Sequence, residues 1–556
     1  MSDNLIIRNG QIHTIDPDNK VVDCAVIKEG KYVYVGDYDE DLIKQYDLFP
    51  VLNLGGRTVL PAFLDAHMHM TMLAQTYYGV NLQGYNDVEK YKEVIREYLK
   101  KHPDAPFLTG TGWFEGLIPV TGPLKEDLDE ITTDIPIVLT ADSGHSAWVN
   151  SKALEMAGID KDTPDVETGV IQRYPDGTPS GTLRESWFDY IKTQIPDFSV
   201  EQYKEVIKYY AKYYAELGVI GSLDAWTERE SNSVEAFKEL AEDESFNFYA
   251  RGTYVLNPDP TLEDLNRNTK ARVDDDKGEK FAIDTVKIFE DGVLEGRTGY
   301  LLEPYSDCTP EEGDFCSIPI WPQNVLNLTI AKALKYGFQV HVHAIGDAAV
   351  KETINAFWYA IKEKGCSPNR SVITHIELIE PEDIDRMEEL GLVAVLNPYW
   401  ANVDDLYFAN LDRIGKERTD RTWPMKSIVD RNIICGMGSD YPVTDIPSPL
   451  NGIEMGMTRK LSKYFHPWTT DFESGKYDRS LGDGIEKVSL DEMVRMTTFG
   501  SAYSMGLDDI TGTIEVGKNG DFIILEQDIY SIPVEEITGT KVLATYMKGK
   551  EVYHKE

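Results

Sequence analysis

The chain is 556 residues long and carries 95 acidic against 55 basic side chains, a formal charge of −40 at pH 7. Such a surface repels nucleic acid and anionic membranes, and 31 Tyr and 9 Trp rule out a disordered polymer. The length calls for two or three domains, or for one large barrel with additions.

Residues 4 to 60 read as short strands, LIIRNGQIHTID, VVDCAVIKEGKYVYVGD and PVLNLGGRTVL, broken by Asn-Gly and Glu-Gly turns. The C-terminal stretches GTIEVGKNGDFIILEQD and KVLATYMKGKEVYHK have the same character. Two β-rich ends around a different middle predict one small β-sandwich domain, residues 1–60 plus 505–556. Between them, residues 61–504 alternate strands and helices. LPAFLDAHMH, VIGSLDAW, IDTVKIF, FQVHVHA, SVITHIEL, LVAVLNP and IICGMGSD read as strands. Amphipathic stretches such as EQYKEVIKYYAKYYAELG, which ends at Gly218, read as helices. That alternation predicts an α/β fold with a parallel sheet, and the number of units favours a TIM-like (β/α)8 barrel. Residues 82–200 do not fit one strand–helix unit. They read as a subdomain inserted after the first barrel strand and capping the catalytic face.

The N-terminal MSDNLIIRNG has neither the basic start nor the apolar stretch of a signal peptide, and no apolar run is long enough to span a bilayer. The five cysteines, Cys24, Cys308, Cys316, Cys366 and Cys435, include no close CxxC pair. A reducing, cytoplasmic setting is therefore expected, with no membrane and no nucleic acid as partner.

The chemistry-bearing residues concentrate at strand ends. His67 and His69 stand two apart on an apolar strand, so both rings leave the same face. Lys287 lies in TVKIF, His343 ends FQVHVH, His375 ends SVITH, and Asp440 ends IICGMGSD. Any one of them has a plain structural reading: a hydrogen-bonded core histidine, a helix cap, an ion-pair partner. Together, at the C-terminal ends where a parallel barrel carries its active site, they read as ligands of a divalent metal, with zinc the default for such a donor set. His341 also points inward, either backing a ligand or filling the barrel. His13, His102, His466 and His554 have no comparable company.

The ordered set PAFLDAHMHM, GTGWFEG, DSGHSAWVNSKAL, GTLRES, VKIFEDGVLEGRTGYLLEPY, HAIGDAAV, THIELIEPED, GSDYPV and GTIEVGKNGDFIIL resembles the amidohydrolase superfamily over nearly the whole chain. The likeness is to its branch of YtcJ-like proteins and N-substituted formamide deformylases (amidohydrolase family 3). The resemblance implies that His67, His69, His343 and His375 are metal ligands and that Asp440 is a ligand or the general base. Lys287 matches a lysine that is carboxylated in related binuclear members and bridges two metals, so one or two ions per chain are implied. In FEDGVLEG, Val293 stands where many relatives have a small polar residue, which marks the substrate-facing loop as a point of departure.

The implied activity is metal-dependent hydrolysis of a non-peptide carbon–nitrogen bond, of amide, N-formyl or N-acyl amine type, in a small-molecule substrate. Water is the nucleophile and Asp440 moves the proton. No GxSxG elbow is present. Trp113, His145 and Arg297 are the candidate substrate-binding residues; Glu115, beside Trp113, is a further specificity group, and Asp224, like Arg297, either shapes the pocket or serves as scaffold. A mononuclear deaminase-like site is a second reading. It fits less well, because His343 is followed by Ala-Ile-Gly-Asp with no nearby Glu. A non-catalytic barrel with a binding or regulatory role is a third. A homodimer is compatible with the resemblance.

Overall fold

The computed structural model describes residues 3–555 except 86, 116–118, 120, 165, 167, 228, 230 and 465–473. His466 lies outside the described residues.

Eight parallel strands follow one another in chain order around a barrel: β1 (Phe63–Met68), β2 (Val219–Thr227), β3 (Tyr249–Val255), β4 (Phe281–Phe289), β5 (Gln339–Ala344), β6 (Val372–His375), β7 (Val393–Leu396) and β8 (Cys435–Met437). Each pairs with the next in parallel register, Lys287 opposite His341 and Ala344 opposite His375 among the pairs. Every residue of β1, β5, β6, β7 and β8 is buried. This is why these segments read as unbroken apolar runs rather than alternating ones: side chains facing outward meet helices and those facing inward fill the barrel. The seam between β8 and β1 is joined just beyond the strands. There the Asp440 N–H donates to the His67 carbonyl at 2.8 Å, and the His69 N–H donates to the Tyr441 carbonyl at 2.8 Å. Asp65 accepts the Ser439 N–H at 2.9 Å.

The outer helices follow local signals. Helix Val200–Glu216 starts with a reciprocal capping box between Ser199 and Gln202 and buries Tyr203, Val206, Ile207, Tyr210 and Tyr214. Helix Pro381–Leu390 has Pro at its start and ends at Gly391, whose φ of 66° suits glycine. No helix among the described residues is long and apolar enough to cross a membrane.

The chain's two ends share one sheet. Thr58–Pro61 lies between Leu5–His13, in parallel, and Phe522–Leu525, antiparallel. Ile7, Ile12, Ala25 and Ile27 from the early strands meet Phe522, Ile524, Ala544 and Tyr546 from the late ones in a common core. After β1 the chain leaves the barrel and builds a six-stranded sheet, from Val80–Asn81 to Pro179–Glu185, around Tyr91, Trp113 and Trp148. The fold is α/β: a (β/α)8 barrel with a small β unit from both termini and a sheet inserted after the first barrel strand.

One barrel strand, β3, has no counterpart among the runs read from the sequence. Its YARGTYV carries Arg251 and Gly252 at its centre, which interrupts the apolar signature. The Arg251 guanidinium is spent on the Ala250 and Glu279 carbonyls, at 2.9 and 3.1 Å.

Candidate metal centre

The barrel brings His67, His69, His343, His375 and Asp440 to one place. His67 Nε2 and His69 Nε2 lie 3.3 and 2.9 Å from Asp440 Oδ1, and His375 Nδ1 lies 4.0 Å from Asp440 Oδ2. The rings of His67 and His375 are 4.9 Å apart, and those of His343 and His375 4.5 Å. One donor atom each from His67, His375 and Asp440 falls within 4.8 Å of the others. Yet His67 Nε2 and Asp440 Oδ1, both buried, have no hydrogen-bond partner. Buried polar atoms this close and still unbonded fit donors gathered around a cation, since leaving them unsatisfied in a dry barrel would be costly.

Hydrogen bonds behind the rings set which nitrogen faces the centre. Asn397 donates through Nδ2 to the Gly438 carbonyl at 2.9 Å, so its Oδ1, 2.9 Å from His375 Nδ1, accepts the proton there. His375 Nε2 is thereby free to act as a donor to metal. His343 Nε2 sits 3.0 Å from the Gly292 carbonyl and must carry its proton, which leaves Nδ1. His67 Nδ1 is 2.8 Å from His341 Nε2. His341 therefore orients His67.

Two of these positions are conformationally strained. His375 and Asp440 hold left-handed φ values of 73° and 57°. For residues with a Cβ this costs roughly 1–3 kcal/mol each and persists where the surroundings dictate it. Burial drives His67 well below the usual imidazole range, with the nearby Lys287 charge adding to it. Burial likewise lowers His375 to about 3. Burial alone would raise the Asp440 carboxyl, but His67 and His69 hold it well below the ordinary carboxylate range. The donor set is neutral imidazoles with an ionised carboxylate, the forms that bind metal.

Lys287 points into the barrel, fully buried, with Nζ 4.4 Å from the centroid of the Phe289 ring and no hydrogen-bond partner. Burial lowers its pKa to about 7. Behind His343, Asp291 is locked by three backbone N–H groups, those of Tyr300, Ile345 and Gly346, at 2.8–2.9 Å.

A cavity opens on His343, His375 and Asp440. The inserted sheet contributes Phe114, Ser143 and His145 to its wall, and Val293, the point of departure noted above, also lines it. His145 Nδ1 is 2.9 Å from Glu185 Oε2, and its ring is 5.0 Å from that of His343. Burial alone would depress His145, but the Glu185 carboxylate outweighs it and raises the pKa.

Trp113 and Arg297 are not on this wall. Trp113 is wholly buried in the inserted sheet, its indole N–H donating to the Leu139 carbonyl at 3.0 Å. Its neighbour Phe114 faces the cavity instead. Arg297 is tied to Asp307 and Glu312 at 3.3 and 2.9 Å. Glu115 pairs with Arg184. Asp224 accepts the backbone N–H groups of Thr71 and Trp226 at 3.0 and 3.1 Å. Outside the site, His13 stacks on Tyr530 and His102 on Tyr98. The sequence reading also passed over Asp142, Glu295, Glu377, Asp404, Trp400 and Trp423, all on the cavity wall. They come from four connections: Asp142 after β1, Glu295 after β4, Glu377 after β6, and Trp400, Asp404 and Trp423 after β7.

Residues 50–553 match the model of the amidohydrolase family. The chain is 26% identical to putative amidohydrolase YtcJ of Bacillus subtilis (strain 168), over 99% of both proteins. It is 23% identical to the N-substituted formamide deformylase of Arthrobacter pascens, over 98% of this chain and 97% of that one. In fold it matches an uncharacterized metal-dependent hydrolase from Pyrococcus horikoshii OT3, with a TM-score of 0.72 and 22% identity over 96% of this chain and 99% of that one. The chain belongs to the amidohydrolase family.

Proposed function

We propose that the protein is a metal-dependent hydrolase of non-peptide carbon–nitrogen bonds, acting on small amides of the N-formyl or N-acyl amine type. The observation that carries this reading is the convergence of His67, His375 and Asp440 at the C-terminal mouth of the barrel, with unpartnered donor atoms facing one another. The match to an N-substituted formamide deformylase supports the choice of bond.

His67, His69, His343, His375 and Asp440 would hold one or two divalent ions, with zinc suited to this nitrogen-rich set. When bound, the metal supplies Lewis acidity toward the carbonyl and lowers the pKa of the attacking water. Asp440, ionised, takes a proton from that water as the oxygen–carbon bond forms. It then delivers the proton to the nitrogen as the carbon–nitrogen bond breaks, giving acid and amine. His145, kept protonated by Glu185, donates to the carbonyl oxygen as charge builds there. Lys287, lacking a hydrogen-bond partner, is suited to carboxylation: the neutral amine adds to carbon dioxide and releases one proton, giving an anionic oxygen donor that would help hold the metal. Residues 82–200 act as the cap over this face.

The test is a panel of N-formyl and N-acyl amines with purified, metal-loaded protein, alongside His67→Ala. Amine release that disappears in the variant supports the reading. Absence of cleavage across the panel, with metal bound, refutes it.

A further inference from the structure

The wall of the catalytic cavity away from the histidines is acidic. Asp142, Glu295, Glu377 and Asp404 all line it, and no Lys or Arg does. None of the four forms an ion pair among the described residues. The cations nearby are already matched: Arg184 to Glu115, Arg413 to Asp307 at 2.7 Å, His145 to Glu185. Hydrogen bonds satisfy only part of the four carboxylates. Asp142 accepts the Glu115 N–H at 3.0 Å, Glu377 accepts Asn410 Nδ2 at 3.0 Å, and Asp404 caps a helix through the Tyr407 N–H at 3.0 Å. Beside them stand two indoles. Trp400 lies stacked on His375 at 5.9 Å and meets Trp423 edge-on at 5.5 Å. On the same cavity, Asp440 belongs to the candidate metal centre, with His67 Nε2 and His69 Nε2 at 3.3 and 2.9 Å from its Oδ1.

Several carboxylates in one partly dry pocket repel one another, and their desolvation is offset only by a positive charge or by protonation. Burial and the Glu295 charge push Asp142 well above its usual range, and burial raises Glu295 itself. A cation entering the pocket would relieve both effects, and an indole face adds attraction for it. We infer that the substrate carries, besides the bond that is cut, a cationic nitrogen group held by Glu295, Glu377 and Asp404 against Trp400. The substrate class is then a mono-N-acylated diamine or a close relative. This rests on the carbon–nitrogen reading above for the bond that is cut, and on the cavity alone for the charge.

Three probes of matched length separate the two. N-acetyl-1,5-diaminopentane ends in an ammonium, N-acetylhexylamine in a methyl, and N-acetyl-5-aminopentanoate in a carboxylate. Binding is measured by calorimetry and turnover as kcat/KM, both on the metal-loaded full chain. The ammonium probe should bind about tenfold or more tighter than the methyl probe, the scale of one charge-assisted hydrogen bond, and the carboxylate probe weakest of all. Glu295→Gln and Glu377→Gln should each shrink the ammonium-to-methyl ratio about tenfold. Glu295 is only half-buried, so its variant decides the matter if the other fails to fold. Equal binding of ammonium and methyl probes, or an unchanged ratio in Glu295→Gln, overturns the inference. Tight binding of the ammonium probe without cleavage upholds the inference and counts against the proposed reaction. Cleavage that ignores the terminal charge does the reverse.

Discussion

Gly438 is packed against the candidate metal centre and leaves no room for a side chain. It follows β8, where the chain passes β1, and a Cβ built on it would lie 2.6 Å from His67 Cβ and 3.1 Å from Val395 Cγ1. Ordinary contact begins near 3.4 Å, so Gly438→Ala must push His67 aside by about 0.8 Å. Neither neighbour can swing clear, because one contact is to the Cβ of buried His67 and the other to Val395, a packed barrel residue. Overpacking of this kind costs roughly 1–3 kcal/mol of stability. A displacement near 1 Å at a reacting centre costs about a hundredfold in rate. The variant should therefore stay folded, with a lowered melting temperature, and lose both tight metal binding and about two orders of magnitude in kcat/KM. Metal content by mass spectrometry after mild chelation, circular dichroism on the same sample, and amine release together read these effects. Wild-type metal retention and rate in a folded Gly438→Ala protein would show that His67 is not seated as described.

Other outcomes follow from the same geometry. Asn397→Ala removes the group that fixes the proton on His375 Nδ1, and metal affinity measured by competition with a chelator should fall about 10- to 100-fold. Lys287→Met should abolish the carbamate carbon signal expected in labelled-bicarbonate carbon NMR of the native protein, and a native sample with no such signal would argue for an unmodified lysine. Asp521, buried beneath the terminal sheet, accepts the Tyr249 hydroxyl at 2.9 Å, and burial raises its pKa to about 6. Its carboxyl binds its proton more tightly folded than unfolded. The protein should therefore gain up to about 3 kcal/mol from this group as pH falls from about 6 to about 4, and lack that gain above pH 6. Thermal unfolding of Asp521→Asn across that range should show a flatter profile than the native protein, and parallel profiles would remove Asp521 as the source.

The residues of the candidate metal centre were legible because strand parity and strand ends are local properties. His67 and His69 announce a shared face by their spacing, and His343, His375 and Asp440 each close an apolar run. Even there the sequence misses detail. Asp440 lies past β8 in a left-handed conformation rather than on the strand. Strand β3 is hidden by a half-buried arginine whose guanidinium donates to backbone carbonyls. The acidic wall is illegible for a different reason. Asp142, Glu295, Glu377 and Asp404 belong to four connections, and only barrel closure brings them around one space. Trp113 looked like a binding residue because it sits beside Glu115 in a glycine-rich run. The register of its strand turns it into the inserted sheet and leaves Phe114 at the wall. Distances across a fold are not written in spacing along a chain.

The sheet shared by the two termini has a consequence for synthesis. Thr58–Pro61 leaves the ribosome early, yet its antiparallel neighbour Phe522–Leu525 follows about 460 residues later. At roughly 5–20 residues per second, that edge stays unpaired for about half a minute to a minute and a half while the barrel is being translated. An open β edge of that duration invites association between nascent chains. Recovery of active enzyme should therefore depend on elongation speed and on holdase chaperones more than the stability of the finished fold would suggest.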